Sequence, residues 1–111
     1  MLRKLIAVDP TLTRDELEAH FRHFIRTARL PTPRFNFNVR GYECDCVWPD
    51  DGLIVELDGR AVHDTAVAFE RDRERDRALS VAGWTVIRVT WRQLREQPEA
   101  LASDLRRLLA G

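Results

Sequence analysis

The chain has 111 residues, 44% of them hydrophobic, which allows one compact domain with a real core and leaves little room for a second. Its 18 basic residues balance its 18 acidic ones, so no global field draws it to nucleic acid or to an anionic membrane, and an anionic partner must be met by a local cluster. No apolar run approaches the about 20 residues that span a bilayer, the first eight residues lack the apolar core of a secretion signal, and Cys44 and Cys46, two apart, suit buried thiols better than a disulfide; the expectation is a cytoplasmic protein with no membrane partner.

Residues 1–12 are a lead-in with little pattern. Residues 13–29 read as an amphipathic helix: Leu17, Phe21, Phe24, Ile25 and Ala28 follow the helical repeat, and Thr13 with Glu16 fits a capping box. Leu30-Pro31-Thr32-Pro33 ends it. Residues 34–58 fold on paper into a three-strand meander, with a tight Arg40-Gly41 turn between Val39 and Tyr42 and a Pro49-Asp50-Asp51-Gly52 turn between Trp48 and Leu53. This register sets Phe37 against Cys44, Phe35 against Cys46, Cys46 against Val55 and Cys44 against Leu57, and makes that face apolar throughout. Period-two alternation sends Asn36, Asn38, Glu43, Asp45, Val47, Ile54, Glu56 and Asp58 to the other face. Asp45 then lies opposite Glu56, with Asp58 one diagonal step away. A tight Asp51-Gly52 turn sets Asp45 against Asp58 instead, but places Pro49 inside a ladder to which it cannot donate.

His63-Asp64-Thr65 leads into a second helix from about Ala66 to Ala82, with Gly83 as its C-terminal cap. Asp72 and Asp76 share a face of this helix with Phe69 and Leu79, the side that should pack, so they require arginine partners there. Residues 84–90 read as a fourth strand, reached through a crossover long enough to run parallel to the third. A last helix from about Pro98 to Leu109 carries Leu101, Leu105, Leu108 and Leu109 as its buried stripe. The order α-β-β-β-α-β-α predicts an α/β (α+β) fold with a mixed four-stranded sheet flanked by helices, as a single domain over residues 13–111.

Carboxylates opposed across a strand pair stand about 4.5–5.5 Å apart at Cβ and repel each other. A divalent cation offsets that repulsion, and Mg²⁺, with Mn²⁺ as substitute, binds through one or two carboxylates while keeping waters for a phosphate to share. Asp45 and Glu56 are the candidate metal ligands, and Asp58 a further or water-mediated one. His63 is a candidate base or phosphate contact, and Glu16 could complete the acidic cluster. Arg88 on the fourth strand, with Arg71 and Arg75 of the second helix, could neutralise a phosphate. Together these groups suit metal-dependent phosphodiester hydrolysis. The plainer alternatives are an ordinary acidic solvent face, a capping role for Glu16 and pairing of Arg88 with Asp72 or Asp76. A zinc site from Cys44, Cys46 and His63 matches no common spacing.

The motifs Gly41-Tyr-Glu-Cys-Asp-Cys-Val-Trp-Pro, Leu53-Ile-Val-Glu-Leu-Asp-Gly59 with His63, Phe69-Glu-Arg-Asp-Arg-Glu-Arg-Asp76 and Gly83-Trp-Thr-Val-Ile-Arg-Val-Thr-Trp91 together resemble the family numbered 559 among domains of unknown function. That family is similar to the very-short-patch-repair (Vsr-like) endonucleases of the restriction-endonuclease-like, PD-(D/E)XK, superfamily. The resemblance covers roughly residues 13–109. It implies the same helix, three-strand, helix, strand core. It also implies an endonuclease acting on DNA in preference to RNA, with acidic site positions at Glu16, Asp45 and Glu56. Asp58 stands where the superfamily usually has its catalytic lysine, and Lys4, the only lysine, lies far outside these motifs. The related repair nucleases also dispense with that lysine and look histidine-assisted, so His63 becomes the substitute candidate for water activation. Similar domains also form the C-terminal part of longer proteins that carry a winged-helix module and look like antitoxins of abortive-infection systems, and the lead-in resembles the join in those proteins. The rival expectation is therefore a non-catalytic nuclease-fold module that binds DNA or protein, as a regulator in a toxin–antitoxin or phage-defence system. No stretch reads as a DNA-reading module, so under either reading base specificity is expected from a partner, a homodimer or a DNA-reading protein, or from surfaces that the sequence does not identify.

Overall fold

Thr13 starts the first helix as a complete capping box: its hydroxyl accepts the Glu16 amide at 3.1 Å, and Glu16 Oε1 accepts the Thr13 amide at 2.8 Å. This computed structural model describes residues 12–58 and 65–110, in which α1 covers Arg14–Ala28. The helix buries Leu17, Phe21, Phe24 and Ile25, and Arg29 closes it in the left-handed conformation. Burying such an aliphatic or phenyl side chain contributes about 1.5–3 kcal/mol. Trp48 then pins the connection to the sheet, its indole N–H donating to the Pro31 carbonyl at 2.9 Å.

The strands are β1 (Arg34–Val39), β2 (Tyr42–Trp48), β3 (Leu53–Asp58) and β4 (Thr85–Thr90). They form a sheet in the order β1-β2-β3-β4, the first two pairings antiparallel and the last parallel. The helix α2 (Ala66–Val81) makes the crossover, and α3 (Trp91–Glu96) and α4 (Pro98–Leu109) follow β4. This is the mixed α/β architecture expected from periodicity, with one addition. The α3 helix begins directly at the end of β4, where Thr90 and Gln93 form a second capping box. Six residues carry too little repeat to reveal a helix, but the Thr-x-x-Gln cap was legible.

Two apolar clusters hold the sheet. On one side Cys46, Trp48, Leu53, Val55 and Val89 pack with α1, α3 and α4. On the other, Leu79 of α2 covers Val47 and Ile54, with Trp84 and Val86 against them. The expected all-apolar face does not run the length of β1 and β2, because Val39, Cys44 and Phe37 belong to the second cluster while Cys46 and Phe35 belong to the first. Between Phe35 and Phe37, Asn36 sits at φ 52, a left-handed turn within the strand that breaks the simple alternation. Tyr42, beside the Arg40-Gly41 turn, stays 38% exposed. On α2 only Leu79 is buried; Phe69, expected to pack, is exposed under the Arg73 guanidinium at 4.8 Å. Among the described residues no helix is long and apolar enough to cross a membrane.

Candidate functional site

The expected register holds from Trp48↔Leu53 to Cys46↔Val55 and stops there. The next ladder position is replaced by a side chain: Asp45 Oδ2 accepts the Leu57 amide at 2.8 Å. The strands β2 and β3 therefore part at the residues that sequence spacing set opposite each other. At the point of divergence lies an open cavity of about 500 Å³, lined among others by Arg14, Asp45, Glu56, Asp72, Arg75 and Arg88. It draws on α1, β2, β3, α2 and β4, so residues far apart in sequence meet there.

Glu56 is the buried charge of this site, with 4% of its surface exposed. Its Oε1 accepts from Arg75 Nη2 at 2.7 Å, while its Oε2 is buried with no hydrogen-bond partner among the described residues. Burial, and then the neighbouring Asp45 carboxylate, raise the Glu56 carboxyl above its usual range against the opposing pull of Arg75. Arg75 also donates to the Glu43 carbonyl at 3.3 Å, so its guanidinium spans β2 and β3. Asp45 keeps Oδ1 at 3.1 Å from Arg14, whose guanidinium also approaches Glu43 Oε1 at 3.5 Å and Asn36 Oδ1 at 3.2 Å. Burial, with the Glu56 charge nearby, pushes the Cys44 thiol up to about 11, so it stays protonated at neutral pH.

On spacing alone, the repulsion between Asp45 and Glu56 calls for a cation. In the fold that repulsion is offset by guanidinium groups, Arg14 on Asp45 and Arg75 on Glu56. Three arginines face four carboxylates around the cavity, Glu43 and Asp72 completing the acidic set. Arg14 was not singled out, because residue type at a helix start gives no hint that tertiary packing aims it at a carboxylate two strands away.

The other expected site residues scatter. Glu16 is exposed and engaged in the cap of α1, away from the lining of this cavity. Asp58 ends β3 opposite Thr90 and does not line the cavity either. Among the described residues no group of three or more His, Cys, Asp or Glu is placed to hold a metal ion, so the expected set of Asp45, Glu56 and Asp58 is not gathered. Neither are Cys44 and Cys46 part of a metal cluster; both are buried free thiols. Arg88 lines the cavity but is clamped by Asp76, which accepts from its Nε and Nη2 at 3.0 and 3.1 Å, with Asp72 at 3.9 Å. That is the plainer alternative for Arg88, and it gives Asp72 and Asp76 the arginine partner their place on α2 required. Arg71 is exposed and does not line the cavity. His63 lies outside the described residues.

The donors that remain still fit a hard cation. Carboxylate oxygens are the ligands Mg²⁺ takes, two carboxylates suffice for it, and Glu56 Oε2 is a buried oxygen of that kind with no hydrogen-bond partner among the described residues.

Comparison with known proteins gives this geometry its context. The fold resembles the solved catalytic domain of the homing endonuclease I-Bth0305I, with a TM-score of 0.67 and 13% identity over 84% of this chain and 92% of that one. Two uncharacterized Mycobacterium tuberculosis proteins, MT2308 of strain CDC 1551 and Rv2248 of strain H37Rv, are each 25% identical over 112 residues, 96% of this chain. The chain spans 41% of the length of those relatives. Residues 18–109, which include Asp45, Glu56, Arg75 and Arg88, match the family described as REase_MTES_1575, and the chain belongs to that restriction-endonuclease-like family.

Proposed function

We propose that this chain is a metal-dependent endonuclease that hydrolyses phosphodiester bonds, in DNA rather than RNA. The observation that carries the reading is the buried, unpartnered Glu56 Oε2 beside Asp45, at the point where β2 and β3 part, in a chain of restriction-endonuclease-like family. The motif resemblance to very-short-patch-repair endonucleases supports the same reading at finer grain.

In this mechanism Asp45 and Glu56 hold Mg²⁺, for which Mn²⁺ substitutes. When bound, the cation supplies Lewis-acid polarisation of the phosphoryl oxygens and lowers the pKa of a coordinated water. Arg75 fixes the Glu56 carboxylate from the α2 side, so that Oε1 is held and Oε2 faces its task with little freedom. Arg88, held by Asp76, locks α2 against β4 and leaves a positive group at the cavity wall. His63 takes the proton of the attacking water, in place of the lysine that this chain does not have at Asp58.

The test is nicking of supercoiled plasmid by purified protein in Mg²⁺ or Mn²⁺, alongside Asp45→Ala and Glu56→Ala. The wild type should nick and both variants should not; equal activity in all three identifies a contaminant and removes the assignment. A second reading has its own support: each carboxylate already has a guanidinium partner, as in a structural ion-pair network. In that case the chain is a non-catalytic nuclease-fold module, and calorimetry finds no Mn²⁺ binding to the wild type.

A further inference from the structure

Of the four oxygens on Asp45 and Glu56, three are engaged and their partners differ in kind. Asp45 Oδ2 is held by a backbone amide of the sheet, and Glu56 Oε1 by Arg75, a half-buried side chain also tied to the Glu43 carbonyl. Among the described residues Asp45 Oδ1 is held only by Arg14, whose side chain is 57% exposed and which reaches in from the first turn of α1. The fourth oxygen, Glu56 Oε2, is buried and unpartnered. A divalent cation that uses both carboxylates meets no ion pair at Oε2 among the described residues, but it competes with Arg14 for Oδ1.

We propose that Arg14 is an exchangeable substrate-binding residue: it rests on Asp45 in the cation-free protein and transfers to a phosphate of the nucleic acid when the cation binds. The inference rests on the proposed nuclease reading and adds a residue to it. Three features support the exchange. The Arg14–Asp45 pair is exposed on the arginine side, and such pairs contribute so little that a cation displaces them readily. Arg14 lines the same cavity as Glu56, Arg75 and Arg88, so a released guanidinium is already at the mouth through which a backbone phosphate must come. Arg75 and Arg88 are both committed to buried or half-buried carboxylates, whereas the other partners of Arg14, Glu43 Oε1 at 3.5 Å and Asn36 Oδ1 at 3.2 Å, are exposed. Arginine is the side chain suited to such a transfer, since its planar fork serves carboxylate and phosphate alike.

The exchange ties Arg14 to the cation in a way that a merely structural surface arginine does not share. Arg14→Ala and Arg14→Lys are compared with the wild type in two titrations: Mn²⁺ by calorimetry without nucleic acid, and a labelled oligonucleotide duplex by fluorescence anisotropy, in Ca²⁺ and again in EDTA. Arg14 is exposed at a helix N-terminus, so both variants should fold, and circular dichroism verifies it. The expected results are Mn²⁺ affinity about two- to fivefold higher in Arg14→Ala, the range set by exposed ion pairs, and duplex binding weakened in Ca²⁺ but unchanged in EDTA, with the salt slope in Ca²⁺ reduced by about one. Arg14→Lys should restore part of the Ca²⁺-dependent binding. Unchanged or lower Mn²⁺ affinity in Arg14→Ala overturns the exchange, as does a loss of duplex binding that is equal with and without cation. In those two cases Mn²⁺ binding by the wild type leaves the metal site standing; absence of Mn²⁺ binding to the wild type removes both proposals together.

Discussion

Replacing Arg75 by methionine tests the electrostatic account of the site most directly. The substitution keeps much of the volume and removes the guanidinium paired with the Glu56 carboxylate, leaving a side chain that is 6% exposed without that ion-pair partner. Removing one member of a buried pair costs about 3–5 kcal/mol because the remaining charge stays desolvated. Arg75 itself retains 20% side-chain exposure, so water can reach part of the gap and the lower end, about 3 kcal/mol, applies. For a chain of this size that corresponds to a melting temperature lower by about 12 °C. The second arm of the cycle is Glu56→Gln. Burial raises the Glu56 carboxyl, which means that the folded state bears its ionised form at a cost even with Arg75 present, so removing the charge should leave the protein as stable as the wild type at neutral pH or more so. The double variant Arg75→Met with Glu56→Gln should then regain most of the about 3 kcal/mol lost in Arg75→Met alone, a coupling far outside ordinary additivity. Chemical denaturation of the four proteins at one pH measures it. Additive effects within about 0.5 kcal/mol would mean that Arg75 and Glu56 do not form the buried pair on which the site is built.

The pH dependence follows from the same carboxyl. Because its folded pKa lies above the unfolded one, the folded state holds more protons, so the Glu56 contribution is fully present below the unfolded pKa and is lost as pH rises through the folded value. The melting gap between Glu56→Gln and the wild type should therefore widen from acid to neutral pH; a gap that narrows refutes the sign. Glu16 works in the opposite direction, its carboxyl held low by the Thr13 amide, so the deficit of Glu16→Ala should be present at neutral pH and fade in acid as the wild type loses its ionised cap. Asp45→Ala leaves the Leu57 amide without its acceptor and should cost about 1–3 kcal/mol in denaturant. Asp45→Asn keeps an oxygen for that amide and should stay within about 1 kcal/mol of the wild type while losing Mn²⁺ binding; an Asn variant as unstable as the Ala variant removes the Leu57 bond as the explanation. Leu79→Ala, at the one buried position of α2, should cost about 2–5 kcal/mol, and a smaller loss would show that α2 is not held by that contact.

The elements were legible because their signals are local. Apolar spacing marked α1 and α4, the Arg40-Gly41 turn fixed the β1–β2 register, and the Thr13 and Glu16 pattern is the cap it appeared to be. Alternation also located Asp45 and Glu56 correctly as neighbours on the acidic side of a strand pair. It did not reveal that the ladder ends between them, because that depends on whether a side chain outcompetes a backbone carbonyl for the Leu57 amide. Nor did it reveal the left-handed Asn36 between Phe35, which packs with one cluster, and Phe37, which packs with the other.

Sequence alone thus determined the order of the four strands with α1, α2 and α4, which strands pair, and the place of Asp45 and Glu56 on adjoining strands, since each of these follows from periods and turns within a few residues. Which cations face those carboxylates was decided only by tertiary structure. Arg14 and Arg75 lie 31 and 30 residues from Asp45, the first on α1 and the second on α2, and only the packing of both helices onto the sheet brings their guanidinium groups to the same cavity. Charge pairing across such distances leaves no periodic trace, because an arginine on a helix surface looks the same in sequence whether it meets solvent or a buried acid.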